Sequence, residues 1–377
     1  MSSIGETASR YSPGRRFTRN AELPGGHQHS LGLIPLVERP SIWRTALSKK
    51  YKQVRKRISL PTLKVTLPGG AEETKAKSET LDTIEETQAN LETKYGTRWK
   101  TIGRGAYGTV SVFRKIDIGS HEQKLFAVKE FHRRPRQQFA SYRDRIVAEF
   151  SLVSSLQHAN VIQILDLFYT GQDNFYEVME YCAGGDMFSL VQSAGNLEAE
   201  EADCFLKQLM RGVKYLHEID VAHCDLKPEN LLLTPEGNLK ITDFGFCHYM
   251  APSKDGGVEL LSGMRGSLPY IAPEEHTDDQ FDPRVSDIWA CGVIYMFMRV
   301  SRYLWLSAQT DDKLYTTYVK DRRVEKGYAP IESLENTPCQ NVVYSMLDPV
   351  PSRRLTASQF LRSEWGYAIQ VCKSCDV

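Results

Sequence analysis

From Trp99 onward the hydrophobic pattern of this chain changes, with strand patterns first and helical patterns prevailing later. Val110 and Val112 alternate with polar residues, and Leu125 to Val128 form a compact apolar run. Both are strand patterns, because successive side chains of a strand point to opposite faces. Further on, Leu206, Leu209, Val213 and Leu216 are spaced three, four and three apart, which places them on one face of a helix. Strands first and helices afterwards predict an α+β protein, with a small sheet lobe followed by a larger helical lobe.

The 377 residues carry 47 basic and 47 acidic side chains. A net charge of zero excludes whole-chain attraction to nucleic acid or to a membrane surface. Eight cysteines in a chain this long do not make a disulfide scaffold. The stretch from Met1 to Arg16 has no apolar core of a signal peptide. The apolar run from Ile288 to Met298 is too short to span a bilayer. The expectation is a soluble, cytoplasmic protein with reduced thiols.

Apolar residues are sparse in residues 1–94, where there are 29. Residues 1–60 hold twelve Lys/Arg against three acids, and residues 61–94 hold four against seven. This predicts a mostly disordered basic arm with an acidic linker over 1–94, a folded domain over 95–366 and a tail over 367–377. The cluster Lys49, Lys50, Lys52, Arg55, Lys56 and Arg57 leaves three readings open: contact with acidic lipid at the plasma-membrane periphery, a nuclear address, or a solvated charge run. Leu81, Ile84, Gln88 and Leu91 have helical spacing ahead of the folded part.

Gly103-Arg104-Gly105-Ala106-Tyr107-Gly108 lies between two strand patterns. A dinucleotide fold requires a helix after such a motif, but Val110 to Phe113 read as strand. A glycine-rich hairpin can still lay backbone N–H groups over phosphates. Lys129 follows 21 residues after Gly108, inside an apolar strand. A charge there is costly unless it is paired, and the natural partners are a phosphate and a carboxylate such as Glu149 on the next predicted helix.

His223-Cys224-Asp225-Leu226-Lys227-Pro228-Glu229-Asn230, then Asp243-Phe244-Gly245, then Ala272-Pro273-Glu274 follow in order. With these motifs, residues 95–366 resemble a eukaryotic protein kinase. The resemblance implies the bilobal fold of that family, ATP as cofactor with Mg²⁺, and protein substrates. It implies that Asp225 orients the substrate hydroxyl, Lys227 contacts the γ-phosphate, and Asn230 and Asp243 bind Mg²⁺ through hard oxygen atoms. Lys129, held by Glu149, steadies the α- and β-phosphates. Ile102, Gly103, Arg104, Gly105, Ala106, Tyr107, Gly108 and Val110 cover the nucleotide. Ala127 and Leu232 complete the apolar sandwich around adenine. Met179 is the gatekeeper, Glu180 and Cys182 offer backbone groups to adenine, and Asp186 reaches the ribose. Asp287 anchors the catalytic loop, Glu274 pairs with Arg354, and Ser267 bonds Asp225 and Lys227.

Lys227 marks the serine/threonine class. Asp186 and Glu229 match positions that hold an arginine three residues before the target. Phe297 supplies no acid for a second arginine. Met264, Leu268 and Ile271 are expected to form an apolar pocket for the residue after the target, and bulky Phe246 is expected to favour serine over threonine.

A narrower resemblance is carried by Phe126 to Phe131, Val178 to Asp186, Pro269 to Glu275, Phe281 to Arg284 and Ser363 to Gly366. Together these are similar to the fungal halotolerance-type (Hal) kinases, which implies a role in plasma-membrane transporter activity and potassium homeostasis. One departure is Cys224, where the family usually has arginine. A cysteine cannot clamp an activation-segment phosphate. It is read as a semi-buried, inert thiol, with a redox role as the alternative. Cys372 and Cys375 have CxxC spacing, but no second pair stands at zinc spacing, so they are read as no metal site. Two rival functions remain. A pseudokinase scaffold predicts loss of Lys129, Asp225 or Asp243, and all three are present. A module that works through its basic arm predicts that residues 1–94 alone carry the role.

Overall fold

The computed structural model describes residues 16–19, 26–32, 88–105, 108–117, 119, 122–170, 174–250, 259–372 and 375. The basic cluster, Leu81 and Ile84, and also Ala106 and Tyr107, lie outside them.

The first lobe is one antiparallel sheet. Its strands are β3 (Thr97–Gly105), β4 (Gly108–Ile116), β5 (Gln123–Phe131), β6 (Ile164–Tyr169) and β7 (Phe175–Glu180), in the order β3-β4-β5-β7-β6. They follow a β1–β2 hairpin (Phe17–Arg19 and His27–His29) and helix α1 (Gln88–Tyr95). Leu91 and Tyr95 of α1 are buried against Phe113, Val128, Phe168, Tyr176 and Val178 of the sheet. Helix α2 (Phe139–Val153) crosses between β5 and β6, and Tyr142 and Ile146 bury against Phe131, Leu167 and Phe175.

The second lobe is built on α3 (Met187–Ala194), α4 (Ala199–Glu218) and α5 (Pro283–Val300). In α4 the predicted stripe Leu206, Leu209, Val213 and Leu216 is buried. Helix α5 is buried along nearly its whole length and starts at Pro283, with the Asp282 side chain accepting from the Arg284 N–H at 2.9 Å. Between α4 and α5 come short strands β8 (Val221–Ala222), β9 (Leu231–Leu233), β10 (Leu239–Ile241) and β11 (His248–Tyr249). The β9–β10 hairpin pairs Leu231 with Ile241, which sets Asn230 beside Thr242 and so brings two distant motifs together. The α+β, two-lobed expectation holds.

Part of 1–94 lies among the described residues and is docked on the folded domain. It includes the β1–β2 hairpin, which is docked on α4. Arg16 Nε and Nη2 donate to the two carboxylate oxygens of Glu201 at 3.2 Å each, and Glu201 is fully buried. A bidentate guanidinium–carboxylate pair of this kind has directional geometry, so the hairpin is fastened and not merely adsorbed.

Candidate active site

The cleft between the lobes encloses a cavity of about 630 Å³. Ile102, Gly103, Val110, Ala127, Lys129, Glu149, Met179, Glu180, Cys182, Asp186, Asn230, Leu232 and Asp243 all line it. Arg104, Gly105 and Gly108 lie at the turn of the β3–β4 hairpin, where Gly105 faces Gly108. A Cβ on Gly108 would lie 2.1 Å from the Glu130 carbonyl oxygen, so only glycine fits that edge.

Lys129 is where the structure departs from expectation. Its Nζ donates to Asp243 Oδ1 at 3.3 Å, whereas Glu149 acts on it as a neighbouring charge. Glu149 is buried and takes its ion pair from Arg145 at 3.7 Å. A third carboxylate, Glu177 on β7, stands opposite Lys129 in the β5–β7 register. Burial pushes the Lys129 ammonium down, but Asp243, Glu149 and Glu177 together outweigh this and raise it. Lys129 holds Asp243 below the ordinary carboxylate range, while burial pushes Glu177 up to about 7. Sequence reasoning missed Glu177, although it carries the same signal as Lys129, a charge inside an apolar strand run.

The catalytic-loop groups form one connected network. Lys227 Nζ donates to Asp225 Oδ2, and to Ser267 Oγ at 3.2 Å. Ser267 Oγ donates to Asp225 Oδ1 at 3.0 Å. Asn230 Nδ2 donates to the Asp225 carbonyl at 2.9 Å, which leaves Asn230 Oδ1 as its oxygen for a cation. Burial works against the Lys227 ammonium, and Asp225 more than compensates, so it is raised.

Asp287 explains how this loop keeps its shape. Its Oδ2 accepts the His223 N–H at 2.9 Å, and its Oδ1 accepts the Cys224 N–H at 2.9 Å. Cys224 has φ 62° and Asp243 has φ 66°, a left-handed backbone that is costly for residues with a Cβ. Two charge-assisted hydrogen bonds stabilise the turn at Cys224. Burial pushes the Cys224 thiol well up, which fits an inert thiol. Glu274 and Arg354 form the expected bidentate pair at 2.6 Å for each bond, fully buried against the Trp289 ring.

Around the substrate side, Met264, Leu268 and Ile271 do form one apolar cluster. Asp186 Oδ1 accepts from the Ser189 N–H at 2.7 Å, so it caps α3 as well as lining the cleft. Phe297 is buried and stacked on Phe188, with ring centroids 5.7 Å apart.

The protein kinase domain family matches residues 97–366. The chain is 50% identical over 304 residues to serine/threonine-protein kinase HAL4/SAT4 of Saccharomyces cerevisiae, which is 80% of this chain and 50% of that protein. It is 51% identical over 290 residues to serine/threonine-protein kinase hal4 of Schizosaccharomyces pombe, covering 76% of this chain and 45% of that one. It is 33% identical over 335 residues to serine/threonine-protein kinase HAL5 of Candida glabrata, covering 74% and 41%. The chain therefore spans about half the length of the curated relatives it matches. No helix among the described residues is long and apolar enough to cross a membrane.

Proposed function

Because the chain belongs to the protein kinase family, with its similarity to the Hal-type members, we propose that it transfers the γ-phosphate of Mg·ATP to serine or threonine hydroxyls of proteins. The observation that carries this is the adjacency of two networks, Lys129 with Asp243 and Asp225 with Lys227, Asn230 and Ser267, linked by the charges of Lys227 and Asp243 and meeting the cleft at Asn230.

Phosphoryl transfer asks a protein for position and for charge, and little covalent chemistry. The residues fit the nucleotide: the cleft is lined by the apolar Leu232, Val110 and Ala127 together with the cationic Lys129. Asp243 and Asn230 Oδ1 are the oxygen donors suited to Mg²⁺, whose charge neutralises phosphate oxygens when it is bound. Asp225, held from two sides by Ser267 and Lys227, orients the substrate hydroxyl and takes its proton. Lys227, kept charged by Asp225, offers its remaining N–H to the phosphoryl oxygens.

The finer part of the proposal is the role implied by the Hal resemblance, control of plasma-membrane transporters and ion homeostasis, with a contact of the basic arm to acidic lipid as its means of location. A phosphoproteomic comparison of wild type with Asp225→Asn tests both levels. Phosphosites on cytoplasmic segments of transporters should disappear with Asp225→Asn. An unchanged phosphoproteome, together with no transfer from ATP by the purified protein, overturns the kinase reading.

A further inference from the structure

His27 and His29 sit two apart on β2, so the pleat sends both rings to the same face. Both are buried, while Gln28 between them is exposed. The face they share is closed by Cys204 of α4 and by Cys372, both buried. One ligand atom from each of His27, His29, Cys204 and Cys372 lies within 4.8 Å of all the others. His27 Nε2 and both ring nitrogens of His29 are buried with no hydrogen-bond partner among the described residues. Buried polar atoms without partners are costly, and an ion bound between the two rings and the two thiols would take one nitrogen from each ring.

We propose that these four side chains hold a structural Zn²⁺ ion that clamps the β1–β2 hairpin and the C-terminal tail onto α4. Two imidazole nitrogens and two thiolates are a donor set that zinc takes in tetrahedral geometry, with all four positions filled by protein. Binding releases the two thiol protons to solvent, and the resulting site has no net charge to bury.

The surroundings are built for the ligands. Gln208 Nε2 donates to Cys204 Sγ at 3.5 Å, and Gln208 is itself held by the Leu239 N–H at 2.8 Å. Such bonds to a coordinating atom orient it. Gly237, at φ +87°, lets the turn close over His29, because a Cβ there would meet the ring at 2.6 Å. Cys375 Sγ bonds the Gly237 carbonyl at 3.3 Å and lies beside Cys372. The segments that carry Arg16 and Ile369 are independently fastened to α4: Arg16 to Glu201, and Lys207 Nζ to the Ile369 carbonyl at 2.6 Å. Spacing along the sequence offers no second pair to join Cys372 and Cys375. Of those two cysteines only Cys372 belongs to the proposed set, which His27, His29 and Cys204 complete from distant parts of the sequence.

The test is metal analysis of the full chain, purified without chelator and equilibrated with Zn²⁺. Native mass spectrometry should show about one zinc per chain with two protons lost. Substituted with Co²⁺, the protein should show the visible bands of a tetrahedral ion and thiolate-to-metal charge transfer. His27→Ala with His29→Ala, and Cys372→Ser, should each cut zinc occupancy at least about tenfold. Circular dichroism checks that these variants fold, and the Co²⁺ spectrum of the wild type decides the matter if they do not. Wild-type protein that stays zinc-free, an octahedral Co²⁺ spectrum, a mass two hydrogens lighter from a disulfide, or variants that keep full occupancy would each overturn the site.

Discussion

Lys129 and Glu177 face each other across the β5–β7 ladder, and both are enclosed by the cleft wall. One buried ammonium thus serves three carboxylates, Asp243, Glu149 and Glu177, and the surplus negative charge has a measurable consequence.

Stability without nucleotide should fall as pH rises toward neutrality. Burial lifts Glu177 from the ordinary 4.5 to about 7 in the folded state. Between those values the folded chain keeps a proton that the unfolded chain has released. Stability from this group is therefore complete below the unfolded value and is lost as pH rises through the folded one. Glu177→Gln removes the term. Its Tm should drop less than that of wild type between about pH 5 and pH 8. Parallel Tm curves would show that Glu177 is ionised throughout.

Lys129→Met and Asp243→Ala should each lower phosphate transfer by at least about 10²-fold, the usual cost of removing one preorganised electrostatic group. Radiolabelled transfer to a peptide measures this, and a thermal melt confirms the fold. Wild-type autophosphorylation by Lys129→Met would remove Lys129 from the phosphate site.

Arg354→Ala should cost about 3–5 kcal/mol in urea unfolding, because Glu274 is left buried and unpaired. The double replacement Glu274→Leu with Arg354→Met should cost less than Arg354→Ala alone, since no charge is then stranded. Equal costs would mean that the pair is not desolvated.

Ser262 is exposed, and Cys224 cannot clamp a phosphate on it. Ser262→Ala and phosphatase treatment should each leave most of the activity. A loss of tenfold or more, about 1.4 kcal/mol in barrier, would point to Arg265, which lines the same small cleft as Cys224.

A positional peptide library should select arginine three residues before the target, serine over threonine, and an apolar residue after it. The carboxylates of Asp186 and Glu229 favour the forked guanidinium over a lysine. The apolar cluster of Met264, Leu268 and Ile271 is the expected site for the following side chain. Selection of acidic residues before the target, or of threonine over serine, would contradict this assignment.

The candidate site groups were legible because each sits in a short contiguous motif that resembles one of the kinase family, and the resemblance implies its role. Asp225, Lys227 and Asn230 lie within six residues, and one short hairpin carries the chain from Asn230 to Asp243. Lys129 was legible from burial alone, since a cation within an apolar strand must have partners. The sequence by itself therefore determined the two-lobed class and supplied the candidate groups that line the cleft. Only the tertiary structure decided which partners those groups take. Strand order puts Glu177 rather than a helical residue across from Lys129, and Lys129 bonds Asp243 rather than Glu149. It also decided the meeting of His27, His29, Cys204 and Cys372. Local patterns report which faces are buried. They carry no record of which distant faces are buried against each other, and chain closure over α4 settles that.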